Sequence, residues 1–257
     1  MQIEGQVVLI TGASEGIGAA CAAAFRKRGA RLSLTARSED RLRAAGGPDA
    51  LVTPGDITLP ETRERVVRRT LEHYGAIDIL VNNAGMGLYT AAWQASDEDT
   101  RRLFELNVFA PLALSRLVIP HMRERRRGMI VNIGSMAGKM TLPWFTLYSV
   151  TKYALGSLTE GLRMELLADG VHAMLVCPAY VKTSFQKHAM GSRPPAKVVK
   201  GKNFAISAEE CAADVVRGVE RNARTVVTPR YGWIIIAVAR LFPSVMQSQL
   251  AGINRHV

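Results

Sequence analysis

Short apolar runs recur along the chain with longer helical patterns between them: Val7 to Thr11, Arg31 to Ala36, Leu51 to Thr53, Ile77 to Asn82, Met129 to Ile133, Val171 to Cys177 and Thr225 to Val227. Runs that are continuous rather than alternating suit strands buried on both faces, and the intervening helices supply the covering layers. The pattern predicts an α/β fold, a Rossmann-like, doubly wound parallel sheet of about seven strands with helices on both faces and right-handed crossovers. No internal repeat, low-complexity tract or linker interrupts it, so residues 1–257 are expected to form a single domain.

Two regions break the alternation. Residues 179–206 carry Lys182, Lys187, Lys197, Lys200 and Lys202 with Pro194-Pro195 and no firm periodicity, as expected of a mobile flap over a substrate. Residues 231–257 open with an apolar segment, Trp233 to Phe242, too short to span a bilayer. It is expected to close a pocket, pair subunits or lie on a membrane surface.

Composition narrows the partners. With 257 residues, 48% of them hydrophobic, the chain can bury a sizeable core, and 33 Lys+Arg against 22 Asp+Glu give +11, which favours anionic ligands. The densest basic cluster, Arg123 to Arg127, falls where a helix should end and complements its dipole. No helix-turn-helix or RNA-binding signature accompanies it, so nucleic acid is not an expected partner. Cys21, Cys177 and Cys211 are an odd, scattered set in apolar stretches and read as reduced core thiols of a cytoplasmic protein. They have no metal-ligand spacing. The opening Met1 to Gly5 lacks a basic region followed by an apolar run, so neither secretion nor membrane spanning is expected.

The first strand ends at Thr11 and is followed by Gly12, Gly16 and Gly18 and then a helical Ala19 to Phe25. Glycines at a helix N-terminus let backbone N–H groups approach a pyrophosphate, which the helix dipole also attracts. After the second strand, Arg37 stands where an acidic residue would bind a ribose 2′-hydroxyl, so NADP(H) is the expected cofactor and NAD(H) the alternative. Glu15, inside the turn, opposes that preference.

Tyr148 and Lys152 lie four apart and share one helix face, with about 5–6 Å between Cβ atoms. An ammonium at that range is expected to lower the phenol pKa by about 1–3 units toward neutrality, where proton transfer is most effective. Ser135 follows the strand end Ile133-Gly134 at the carboxyl edge of the sheet, where doubly wound folds bind ligands. Asn107 lies in a helix predicted from Asp97 to about Arg123, and Pro111, four residues on, has no N–H; the Asn107 carbonyl is therefore expected to be free to hold a water.

With the turn Thr11-Gly12-Ala13-Ser14-Glu15-Gly16-Ile17-Gly18, then Asn82-Asn83-Ala84-Gly85, then Ser135, Tyr148 and Lys152 in order, the chain resembles the classical short-chain dehydrogenase/reductase family over nearly its whole length. The resemblance implies an enzyme that transfers hydride between a nicotinamide and a carbonyl or secondary alcohol, with Asn107, Ser135, Tyr148 and Lys152 as catalytic residues. It implies cofactor contacts from Gly12, Ser14, Glu15, Gly16, Ile17, Gly18 and Arg37, from Asp56 and Ile57 at the adenine, and from Asn83, Ala84 and Gly85. Tyr148 and Lys152, with Pro178, Val181 and Thr183, would complete the nicotinamide end. Assembly as a homodimer or homotetramer is implied through the helix bearing Leu117 and Val118. The chain departs from the family at Pro178-Ala179, where Pro-Gly is usual, and at Glu15.

Met86, Trp93, Met136, Met140, Leu142, Trp144, Phe145, Tyr180, Phe185 and Met190 follow strands or fill the flap. They are expected to line an adaptable pocket for a lipophilic small molecule. The leading expectation is thus an NADPH-dependent oxidoreductase. The alternatives are a nucleotide-binding regulator without turnover and a peripheral membrane lipid-ketone reductase.

Overall fold

A computed structural model describes residues 1–191 and 205–251. Strands β1 (Val7–Thr11), β2 (Arg31–Thr35), β3 (Leu51–Val52) and β4 (Ile79–Asn82) are followed by a two-residue β5 (Leu88–Tyr89). Then come β6 (Gly128–Ile133), β7 (Val171–Pro178), a two-residue β8 (Met190–Gly191) and β9 (Thr225–Thr228). Helices α1 (Gly16–Arg26), α2 (Glu39–Gly46), α3 (Pro60–Tyr74), α4 (Asp97–Phe104) and α5 (Ala110–Glu124) alternate with the first strands. The helices α6 (Thr146–Glu165), α7 (Ala208–Glu220), α8 (Gly232–Leu241) and α9 (Pro243–Ala251) complete the described elements.

Seven strands pair in the order β3-β2-β1-β4-β6-β7-β9, all in parallel. The seven apolar runs therefore all become strands, with ends shifted by one or two residues. Pleating divides each run between two cores: Val8 and Ile10 pack with Phe25, Leu34 and Val215, whereas Leu9 packs with Leu80, Ile130, Leu114 and Val118. Local signals agree with the helix starts. Ser96 caps α4 by accepting from Asp99 N at 3.0 Å, Pro60 opens α3, and Ser207 and Glu210 form a reciprocal capping box on α7.

Strand order reverses between β1 and β4, which opens a crevice at their carboxyl ends. The helix predicted from Asp97 to about Arg123 is broken by a π-helical turn at Glu105–Phe109, where Ala110 N donates to Glu105 O. This turn absorbs the donor missing at Pro111. By length and composition the Asp97–Glu124 run could cross a membrane, but its Leu114, Val118 and Met122 are buried against the sheet as a core helix. The basic cluster ends α5 as expected, with Arg125 Nη2 3.1 Å from buried Asp78 and Arg123 Nε 2.6 Å from Asp169. All three cysteines are buried and free, with their thiol pKa values pushed up by burial.

Of the flap, residues 179–191 and 205–206 are described. They hold a 3-10 turn at Ser184–His188, the β8 pairing with β5, and a bridge between Val181 and Ile206. These short pieces carry no readable periodicity, so the sequence pattern alone does not reveal them. Pro194-Pro195, Lys197, Lys200 and Lys202 lie outside the described residues.

Candidate active site

At the strand reversal, Thr11 Oγ1 accepts from both Asn83 N and Ala84 N at 3.0 Å, and Asn83 Nδ2 donates to Thr11 O at 2.9 Å and Gly12 O at 3.1 Å. Asn83 thereby clamps the glycine turn to the end of β4. Gly12 has a left-handed φ of +63°, and Gly18 packs so closely that a Cβ would stand 2.5 Å from Asn83 Nδ2 and closer still to Gly12 O. Gly18→Ala is expected to destabilise the chain by about 1–3 kcal/mol, lowering the thermal midpoint by several degrees in a calorimetric scan.

Helix α1 begins at Gly16 without a side-chain cap, so its first N–H groups are open toward the crevice. That open cradle suits a dinucleotide pyrophosphate. A cleft of about 970 Å³ runs from this turn to α6, and every cofactor candidate named above lines it except Gly18, which acts from behind through packing.

Ser135, Tyr148 and Lys152 meet in this cleft. Ser135 caps a short 3-10 turn by accepting from Ala137 N at 3.1 Å, and its side chain shares the cleft with Tyr148. Lys152 Nζ donates to Ile133 O at 2.8 Å and lies 5.6 Å from the centre of the Tyr148 ring. Both side chains are buried. Burial holds the Tyr148 phenol well above its ordinary pKa, with the Ser135 side chain pulling the other way, and burial lowers Lys152 to about 8. The expected acidification of the phenol is thus reversed, because desolvation by burial is the largest cause of the shift.

Asn107 does not line the cleft. Its Oδ1 accepts from Met86 N at 2.9 Å, while Nδ2 donates to Met86 O at 2.9 Å and Thr151 Oγ1 at 3.1 Å. The side chain ties the loop after β4 to α6, one residue before Lys152. A Cβ at Gly85 would stand 3.2 Å from Asn107 Oδ1 and 3.6 Å from Lys152 Nζ, which fixes how close these groups lie.

The family model for short chain dehydrogenases matches residues 6–193. The chain belongs to the short-chain dehydrogenase/reductase family. Such a dehydrogenase is an oxidoreductase. This one is 31% identical over 255 residues to 11-beta-hydroxysteroid dehydrogenase-like 2 of Arabidopsis thaliana, covering 95% of this chain and 80% of that protein. A short-chain dehydrogenase from Sphingobium yanoikuyae, solved with NADPH, is similar at TM-score 0.78 and 29% identity over 98% of each chain. A family member from Burkholderia phymatum, solved with NAD, is similar at TM-score 0.85 and 25% identity over 96% of each chain.

Several features of this dehydrogenase are visible only in three dimensions. Glu15 lies 3.4 Å from Arg41 Nη1 and 2.9 Å from His188 Nδ1, so an arginine of α2 and an imidazole of the flap face the turn's carboxylate. Arg41 also lines the cleft, and no motif pointed to it. Arg37 lines it too, exposed and with no hydrogen bond or ion pair among the described residues.

On the substrate side, Tyr89 stacks on Phe145 at 4.3 Å, Phe145 on Tyr148 at 4.1 Å, and Phe185 meets Tyr148 edge-on at 5.7 Å. Met86, Met136, Met140, Leu142, Trp144 and Tyr180 line the same cleft. Trp93 and Met190 do not: Trp93 is 83% exposed and Met190 pairs with Leu88. Tyr89, Ile235 and Leu250 join the lining instead, brought there by β5, α8 and α9.

Proposed function

We propose that this enzyme is an NADPH-dependent carbonyl reductase, reversible as an alcohol dehydrogenase, acting on a lipophilic small molecule. The observation that carries the reading is the meeting of Ser135, Tyr148 and Lys152 in one cleft, between the glycine turn and a wall of stacked aromatic rings.

NADPH, when bound, would supply the hydride. The chain's own residues do the rest. Ser14, Gly16 and Ile17, at the start of α1, would hold the pyrophosphate, Asp56 and Ile57 would border the adenosine, and Pro178, Val181 and Thr183 line the same cleft. Ser135 and Tyr148 present two hydroxyls to one carbonyl oxygen, and Tyr148 gives its proton to the oxygen as negative charge develops there. A phenol held above its ordinary pKa by burial stays protonated through the neutral range and so carries the proton it is to give. Lys152 stands behind it as a cation held to Ile133 O, available to a cofactor ribose hydroxyl. Asn107 acts as a positioning residue, through Met86 and Thr151.

The cofactor preference rests on Arg37. The Arg41 guanidinium offsets the Glu15 carboxylate and so weakens its repulsion of a 2′-phosphate. Arg37→Ala should lower the kcat/KM ratio for NADPH over NADH roughly ten- to hundredfold, the equivalent of losing a charge-assisted hydrogen bond of about 1.5–3 kcal/mol. An unchanged ratio would remove Arg37 from the account. The substrate class is tested by following NADPH absorbance with steroid ketones, long-chain keto esters and small polar ketones. Activity confined to the polar set would overturn the lipophilic reading.

Assembly through α5 and α6 is supported by the apolar Phe109, Val150, Tyr153 and Met164, which are exposed on this surface.

A further inference from the structure

The largest run of exposed apolar side chains along the chain lies on the two last described helices. Gly232 and Ile236 pin α8 to the core through Met136 and Val227. The rest of the helix faces out: Trp233 is 48% exposed, Ile234 67% and Leu241 73%, and Phe242 and Val245 continue the surface into α9 at 58% and 57%. The two helices meet at 105°. At about 1.5 Å per residue neither reaches across a hydrocarbon core of about 30 Å.

Charge indicates what covers this face. From Arg221 onward the chain has no acidic residue, and Arg230 and Arg240 flank α8, both exposed. From Gly170 to Ala208 there is none either, and the flap's Lys182 and Lys187 are exposed. A second copy pairing through this face would set cations against cations. An anionic lipid surface complements both the charge and the apolar crest, with Trp233 suited to the headgroup level.

We propose that the α8–α9 hairpin docks the protein on anionic phospholipid membrane, lying in the interface without crossing it. Ile235 and Leu250 belong to the same hairpin and line the catalytic cleft, so a docked enzyme would present its cleft mouth to the bilayer. Docking is read by binding alone and stands or falls apart from the proposed catalysis.

The test is co-sedimentation of the full chain with vesicles of phosphatidylglycerol and phosphatidylcholine in about equal parts, against pure phosphatidylcholine. Binding should be strong on the mixed vesicles, weak on the neutral ones, and reduced by salt. Leu241→Glu with Phe242→Glu should abolish it while far-ultraviolet circular dichroism stays native. Should that variant fail to fold, Arg230→Gln with Arg240→Gln serves instead, lowering partitioning roughly thirtyfold. Three results would overturn the proposal: no sedimentation with mixed vesicles, equal binding to both kinds, or hairpin-dependent self-association in sedimentation equilibrium without vesicle binding.

Discussion

Tyr148→Phe is expected to lose about 10²- to 10⁴-fold in kcat for ketone reduction, the usual contribution of a positioned proton donor. The variant keeps the ring that stacks on Phe145 at 4.1 Å and meets Phe185 at 5.7 Å, so substrate affinity should change little. NADPH binding, followed by fluorescence titration, should survive. A variant with wild-type kcat would remove Tyr148 from the chemistry, and one that loses NADPH binding and turnover together would make the residue structural.

Lys152→Met should abolish most turnover and yet stabilise the fold at neutral pH. The Lys152 pKa falls from 10.5 to about 8 on burial, so the unfolded chain binds more protons than the folded one between those values. Stability from this site is therefore greatest above about 10.5, is lost as pH falls toward about 8, and below that carries the full penalty, roughly 3 kcal/mol. Methionine escapes the penalty but leaves Ile133 O without its 2.8 Å donor, which costs about 1–3 kcal/mol. The net expectation is a gain of about 0–2 kcal/mol, a rise of up to a few degrees in thermal midpoint at pH 7. That gain should shrink as pH rises from 8 to 10.5. A variant destabilised at pH 7, with a gap to wild type that does not vary with pH, would refute the burial argument.

This trade between stability and chemistry shows where sequence reasoning stops. The seven strands are legible because both faces of the sheet are covered, which makes each run continuously apolar. Tyr148, Lys152 and Ser135 are legible because helical spacing and a strand end bring them together. The sign of the Tyr148 shift is not, since a spacing of four reports the neighbouring charge and says nothing of desolvation, which depends on Tyr89, Phe145 and Phe185 closing over the phenol. Asn107 illustrates the same limit. Pro111 signals a missing donor, but the chain answers with a π turn, and the Asn107 side chain bonds Met86 and Thr151. Glu15 reads as a repulsive carboxylate until α2 and the flap bring Arg41 and His188 against it, contacts that no local pattern encodes. Trp93 looks like pocket lining by its position after a strand, but it stands in solvent.

The account depends on one cleft holding a dinucleotide against a tyrosine that donates a proton. Its most direct test is a crystal structure of the protein grown with NADPH. The expected result is pyrophosphate density over Ser14, Gly16 and Ile17, the 2′-phosphate within reach of Arg37, and the nicotinamide beside Tyr148 with a ribose hydroxyl on Lys152 Nζ. Nucleotide bound elsewhere, or a ring remote from the Tyr148 hydroxyl, would contradict it.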